Sequence, residues 1–107
     1  MLKFFTLATL GLSLFISVVG QTTAIPDSEF EQALITLGLD SGQPDGAVLT
    51  ANIDTVRILS MVGPNFSGLI TSLSGIEDFT VLEVLHCEVN QLTSLDLSNN
   101  TKLQKLR

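Results

Sequence analysis

Leu82-Glu83-Val84-Leu85-His86-Cys87-Glu88-Val89-Asn90-Gln91-Leu92, LEVLHCEVNQL, decides how this chain is read. Apolar side chains fall at Leu82, Leu85, Cys87 and Leu92, and an asparagine, Asn90, sits where the run turns polar. The same opening returns at Leu103-Gln104-Lys105-Leu106-Arg107, where Leu103 matches Leu82 and Leu106 matches Leu85, twenty-one residues on. A looser copy comes earlier, Val56-Arg57-Ile58-Leu59-Ser60-Met61, with apolar residues at the same three places. Self-similarity at a fixed period of this length predicts a solenoid, in which each repeat supplies a short strand and hides its apolar side against its neighbour.

Alternation along a strand assigns the side chains to two faces. Leu59, Met61, Leu85, Cys87 and Leu106 point inward, with Leu59, Leu85 and Leu106 in one column and Met61 and Cys87 in another. Each fully buried leucine is worth about 1.5–3 kcal/mol. Leu82, Leu92, Leu95, Leu97 and Leu103 extend this interior ladder. Ile58, Ser60 and Val62, then Val84, His86 and Glu88, then Lys105 and Arg107 point outward and form the concave wall, a surface that solenoids use for binding. Asn90 is expected to satisfy backbone groups of its own coil and the next, because an amide both donates and accepts. Asn100 is a second such position. Between the first two strands, Ile70, Leu73, Ile76, Phe79, Leu82 and Leu85 recur every three residues. Gly63 to Gly68 reads as a protruding loop, and Leu95-Asp96-Leu97 as extended structure.

The pattern L-x-x-L-x-C-x-x-N-x-L over Leu82 to Leu92 resembles the leucine-rich repeat consensus. The arm from Ile70 to Leu85 is similar to that of internalin-like repeats. The segment ahead of it, with a helix, a DG turn and VLTANIDTV, resembles the amino-terminal cap of secreted bacterial leucine-rich repeat proteins. The resemblance spans roughly Ile25 to Arg107. It implies an α/β repeat solenoid: a short capping helix, then about two and a half coils with a short parallel sheet. It also implies a non-catalytic extracellular module that meets a protein or cell-surface ligand. Two other readings stand beside it: the repeat arm of a larger exported enzyme, and a non-functional gene fragment. Because Arg107 matches a position inside a strand, the chain is expected to be the front of a longer protein. An open carboxy-terminal end would then invite self-association through unpaired strand edges.

Upstream, Met1 to Gly20 has one lysine, Lys3, followed by an uncharged apolar run and small residues. That order predicts a signal peptide over residues 1–20, with cleavage favoured after Gly20 and Thr22-x-Ala24 as a second candidate site, and no membrane insertion once it is removed. Residues 21–47 then form the cap and 48–107 the repeats. A helix is expected over about 27–38. Asp27 or Ser28 would cap it, Ser28 and Glu31 have capping-box spacing, and Phe30, Ala33, Leu34 and Leu37 would form its apolar face. Gly38 can take the left-handed conformation that ends a helix. Asp40 to Gly46, DSGQPDG, is turn chemistry. Asp40 and Asp45 could offer oxygens to calcium, but the spacing of a calcium loop is missing, so no metal is assigned.

Beyond the leader, the basic residues Arg57, Lys102, Lys105 and Arg107 face eleven acidic ones. This charge balance disfavours nucleic acid. The single cysteine rules out an internal disulfide. His86 and Cys87 are the only histidine and cysteine. As strand neighbours they point to opposite faces, which argues against a nucleophile–base pair. No cofactor is indicated.

Overall fold

The computed structural model describes residues 20–107. The signal peptide expected over 1–20 therefore lies, apart from Gly20, outside the described residues. Among the described residues no helix is long and apolar enough to cross a membrane.

The first part is built around α1 (Ser28–Thr36). It is shorter than the expected 27–38 at both ends, and each end has a chemical cause. Asp27 is extended (φ −84, ψ 114) and acts as the cap; its Oδ1 accepts the N–H of Glu29 at 2.8 Å and of Phe30 at 3.1 Å. At the far end Gly38 has φ 79. Leu39 N–H donates to Leu34 O and Gly38 N–H to Ile35 O, both at 2.9 Å, the paired closure that a left-handed residue permits. With Asp27 as cap, Glu31 falls one position past the capping-box site and turns inward instead. Leu37, expected on the apolar face, becomes the terminal cap residue and is exposed; Phe30, Ala33 and Leu34 are buried.

Three elements were not anticipated. β1 (Thr22–Ala24) pairs antiparallel with β2 (Ala47–Leu49), Thr23 opposite Val48. Both are too short for their alternation to register as a pattern; only Thr23 and Val48 point inward. A four-residue helix, α2 (Thr50–Ile53), follows directly and buries Ile53. The buried Thr23 hydroxyl donates to Asp78 Oδ2 at 2.7 Å and so accepts from the Thr50 hydroxyl, 2.8 Å away. A threonine in the first strand thereby ties this part to the repeat that follows.

β3 (Ile58–Ser60), β4 (Val84–His86) and β5 (Lys105–Leu106) form a three-stranded parallel sheet in that order. Leu59 pairs with Leu85 and Leu85 with Leu106. Between β3 and β4, Ile70, Leu73, Ile76, Phe79 and Leu82 are all buried, and Leu85 within β4 continues the series. The every-third-residue spacing carries the chain inward at each step and includes a single 3₁₀ turn, Ile76–Asp78. Gly75 opens that turn with φ 106. A Cβ there would strike the Ile25 side chain and lie 2.6 Å from Ala24 O, so a glycine is needed where the strand β1 end crosses the arm. Leu95-Asp96-Leu97 forms no strand; Asp96 Oδ1 instead accepts from the Ser98 N–H and hydroxyl at 3.0 and 2.6 Å.

One apolar cluster runs through both parts. It joins Ile25, Phe30, Leu34, Val48 and Ile53 to Leu59, Met61, Phe79, Leu82 and Leu85. The rings of Phe30 and Phe79 stack with centroids 6.3 Å apart. The helix therefore covers the first coil, and neither part has a core of its own.

Candidate functional site

Pleating sorts the strand residues by face. Leu59 and Leu85 are in the core, whereas Ile58, one residue before, is 66 % exposed. Register places Ile58, Val84 and Lys105 in one outward row. Ser60 and His86 share the next. Arg107 continues that second row: its N–H donates to Leu85 O and its carbonyl accepts from Cys87 N–H, both at 2.9 Å. Val62 is half-buried and Glu88 exposed beyond the strand ends. The eight residues expected on this wall thus run from aliphatic on β3 to basic on β5.

The expected ladder is less uniform. Leu59, Met61, Leu82, Leu85 and Cys87 are buried. Leu92, Leu97 and Leu103 are half-buried and pack against the core. Leu95 and Leu106 are 37 % and 49 % exposed: Leu95 lies on the irregular arm, and no coil among the described residues stacks beyond Leu106. Asn90 bridges two coils, but backward: its Nδ2 donates to Cys87 O at 3.2 Å, and its Oδ1 accepts from Ile70 N–H of the preceding arm at 3.1 Å. Asn100 is buried and also looks backward, donating from Nδ2 to Ile76 O at 2.8 Å and Phe79 O at 3.1 Å.

Two surface features escaped the sequence reading. Arg57 and Glu83 form a two-pronged ion pair, both contacts 3.0 Å, immediately before Ile58 and Val84. The hydrogen bond from Arg57 acts most strongly to hold the Glu83 carboxyl below its ordinary range; burial opposes it, and the charges of Arg57 and then Lys102 add to the lowering. The aligned strand starts were the available signal. Val89 has φ 63, a region that β-branched residues avoid, and is 80 % exposed. Nothing in its sequence context marks it.

Cys87 belongs to the apolar cluster. Its thiol donates to Arg107 O at 3.4 Å, and burial, with the nearby Glu88 charge, pushes its pKa up. That suppresses the thiolate a nucleophile needs. A polar cleft of about 390 Å³ opens between the two arms, lined by Ser72, Ser74, Glu77, Ser94, Asp96 and Ser98. Neither histidine nor cysteine lines it.

The carboxylates expected at the turn, Asp40 and Asp45, are joined by a third, Glu31, which the spacing from Ser28 suggests for a capping box. Oxygens of Glu31, Asp40 and Asp45 lie within 4.8 Å of one another. Glu31 accepts the N–H of Asp45 at 3.0 Å and of Gly46 at 2.7 Å. Burial raises its pKa; those two N–H groups oppose the rise, and the Asp40 and Asp45 side chains add to it.

Parallel strands with inward leucines, joined by buried three-residue steps and asparagine bridges, define a fold of leucine-rich repeat type. Solved structures agree. The chain is similar to internalin C2 from Listeria monocytogenes, at 31 % identity over 83 % of this chain with a TM-score of 0.65. It is also similar to an internalin (InlF) from the same species, at 26 % identity over 77 % with a TM-score of 0.63. A structure of CBM51-2 and INT domains from Clostridium perfringens ZmpB shares the fold, at 22 % identity over 82 % with a TM-score of 0.66. This chain spans 39 %, 23 % and 17 % of those three chains. No family model and no curated protein matches the sequence. The fold is internalin-like.

Proposed function

We propose that this chain is an exported, non-catalytic recognition module whose outward strand face binds a protein on a cell surface. In this reading residues 1–20 are the leader, 21–47 a cap that seals the first coil, and 48–107 the repeats of a solenoid. The observation that carries it is the in-register face of Ile58, Val84, Lys105, Ser60, His86 and Arg107. Aliphatic residues at one side and cations at the other suit an apolar anchor flanked by acidic groups on the partner. The likeness to internalins supports the same reading. The raised Cys87 thiol and its inward position favour binding over covalent chemistry.

The test is capture of surface proteins by the immobilised chain, compared with Ile58→Glu, Lys105→Glu and a control, Thr80→Glu, at an exposed site on the arm. A partner retained by the wild type and Thr80→Glu but lost with both face variants is expected. Equal retention by all four would remove the face from the account. Fusing residues 1–20 to an alkaline phosphatase reporter tests export separately: activity outside the cytoplasm is expected, and a silent fusion contradicts it.

A further inference from the structure

The cleft between the two arms follows from the repeat spacing. At the period of twenty-one residues, Ser94 takes the place of Leu73 and Asn100 that of Phe79. Leu73 and Phe79 are buried in the first arm, whereas Ser94 is exposed. The second arm therefore brings no leucine to close against the first at this level, and a space of about 390 Å³ stays open. That lies within the span of ligand pockets, roughly 300–1,000 Å³. Side chains from outside the cleft hold its walls. Asp27 Oδ2 takes the N–H groups of Thr71 and Ser72 on the first arm. Asn100 ties the second arm to the first, donating to Ile76 O and Phe79 O. Walls fixed in this way need little ordering when something enters.

The lining keeps hydrogen-bonding capacity in reserve. Glu77 Oε1 accepts from Gly75 N–H at 3.0 Å, and Asp96 Oδ1 from Ser98 N–H and hydroxyl. Among the described residues nothing donates to Glu77 Oε2 or Asp96 Oδ2, and the hydroxyls of Ser74 and Ser94 and the amide of Asn99 are equally unengaged. The carboxylates only accept, the amide donates and accepts, and the hydroxyls do either. Leu95, 37 % exposed, adds an aliphatic surface. An apolar ligand would strip water from these groups without replacing its hydrogen bonds. An anion would meet Glu77 and Asp96 with no cation in the lining to offset them. An alkylammonium only donates and leaves the Asn99 N–H groups unanswered. A sugar ring carries hydroxyls that donate and accept, and C–H groups that can lie on a leucine.

We propose that this cleft is a binding site for a neutral saccharide. Its hydroxyls donate to the free oxygens of Glu77 and Asp96 and accept from Asn99, and the ring rests on Leu95. The site lies on the arms and is separate from the strand wall of Ile58, Val84 and Lys105, so it stands or falls independently of the reading given above for that wall.

The test is an array of defined oligosaccharides, neutral, sialylated and sulfated, probed with the whole chain. The neutral sugar retained is then titrated into isotope-labelled protein by NMR. Retention of a neutral sugar and not of its charged counterparts is expected, with amide shifts at Ser74, Glu77, Ser94 and Asp96 and none at Ile58, Val84 or Lys105. Glu77→Gln keeps an oxygen for Gly75 N–H but replaces the free one, and should weaken binding about tenfold. Ser94→Trp, at an exposed position, should fill the cleft and abolish binding, and Thr80→Glu, outside the lining, should leave it unchanged. If Ser94→Trp fails to fold, Glu77→Gln and the shift map decide alone. No neutral sugar retained, shifts confined to the strand wall, or full affinity in Glu77→Gln would overturn the proposal. So would spermidine shifting the cleft amides where no sugar does, because the site would then be one for a cation.

Discussion

Asp27→Ala removes five hydrogen bonds that converge on one carboxylate. Oδ1 caps α1 through Glu29 and Phe30. Oδ2 accepts from the Thr71 N–H, the Thr71 hydroxyl and the Ser72 N–H, each at 2.9 Å. Loss of a cap typically costs about 1 kcal/mol. Bonds to a charged acceptor run to about 1.5–3 kcal/mol each, but Thr71 is exposed and water replaces most of its share. The half-buried Ser72 N–H supplies the larger remaining part. We expect a total near 3 kcal/mol for Asp27→Ala, read as a lower urea midpoint by circular dichroism with an unchanged slope. Asp27→Asn keeps an oxygen for the cap but faces an NH₂ toward three donors, so its cost isolates the clamp on the arm. The carboxyl also titrates. Burial acts to raise its pKa, but the hydrogen bonds from Thr71, Phe30 and Ser72 outweigh it and hold it below 3.8. Its contribution is therefore present above 3.8 and lost as pH falls through the lower value. Asp27→Asn should remove that acid limb. A change under about 0.5 kcal/mol in Asp27→Ala, the range of an ordinary surface substitution, would refute the clamp.

Asn100→Ala should cost about 1–3 kcal/mol, because the carbonyls of Ile76 and Phe79 each lose a side-chain donor and keep only a backbone N–H, and a buried site is emptied. Asn100→Asp should cost more, since it sets acceptor against acceptor, and equal midpoints for the two would count against the bridge. Asn90→Ala is expected in the same range of about 1–3 kcal/mol. Gly75→Ala should destabilise by well over 1 kcal/mol, from a positive φ and a collision with Ala24 O together; thermal melts showing no loss would place β1 elsewhere. Cys87 should react with a thiol reagent only at the rate of opening, so native labelling as fast as that of a free thiol would contradict its burial.

Much of the repeat architecture was readable because it rests on spacing. Leucines at matched positions locate the strands, and every-third-residue apolar steps from Ile70 to Phe79 locate the arm. The antiparallel pair β1–β2 was not readable. Three-residue strands leave one inward side chain each, too few for a period, and Thr23 is polar with its partners, Thr50 and Asp78, far along the chain. Glu31 misled for a related reason: a glutamate in a first turn ordinarily faces solvent and the helix dipole. Only the choice of Asp27 as cap rotates it inward. On the candidate face, alternation assigned the strand residues to a side, whereas Arg57–Glu83 required the strand starts to be aligned. Val89 left no trace, because a backbone angle is written in the turn and not in the side chain.

The central claim is that aliphatic side chains on successive parallel strands stack in register. Methyl–methyl NOEs in selectively labelled protein test it most directly, since neighbouring strands lie about 4.8 Å apart. Strong cross-peaks between Leu59 and Leu85 and between Leu85 and Leu106 are predicted, with none between Leu59 and Leu106. Absence of both neighbour peaks, or contacts from Leu85 to residues off the column only, would contradict it.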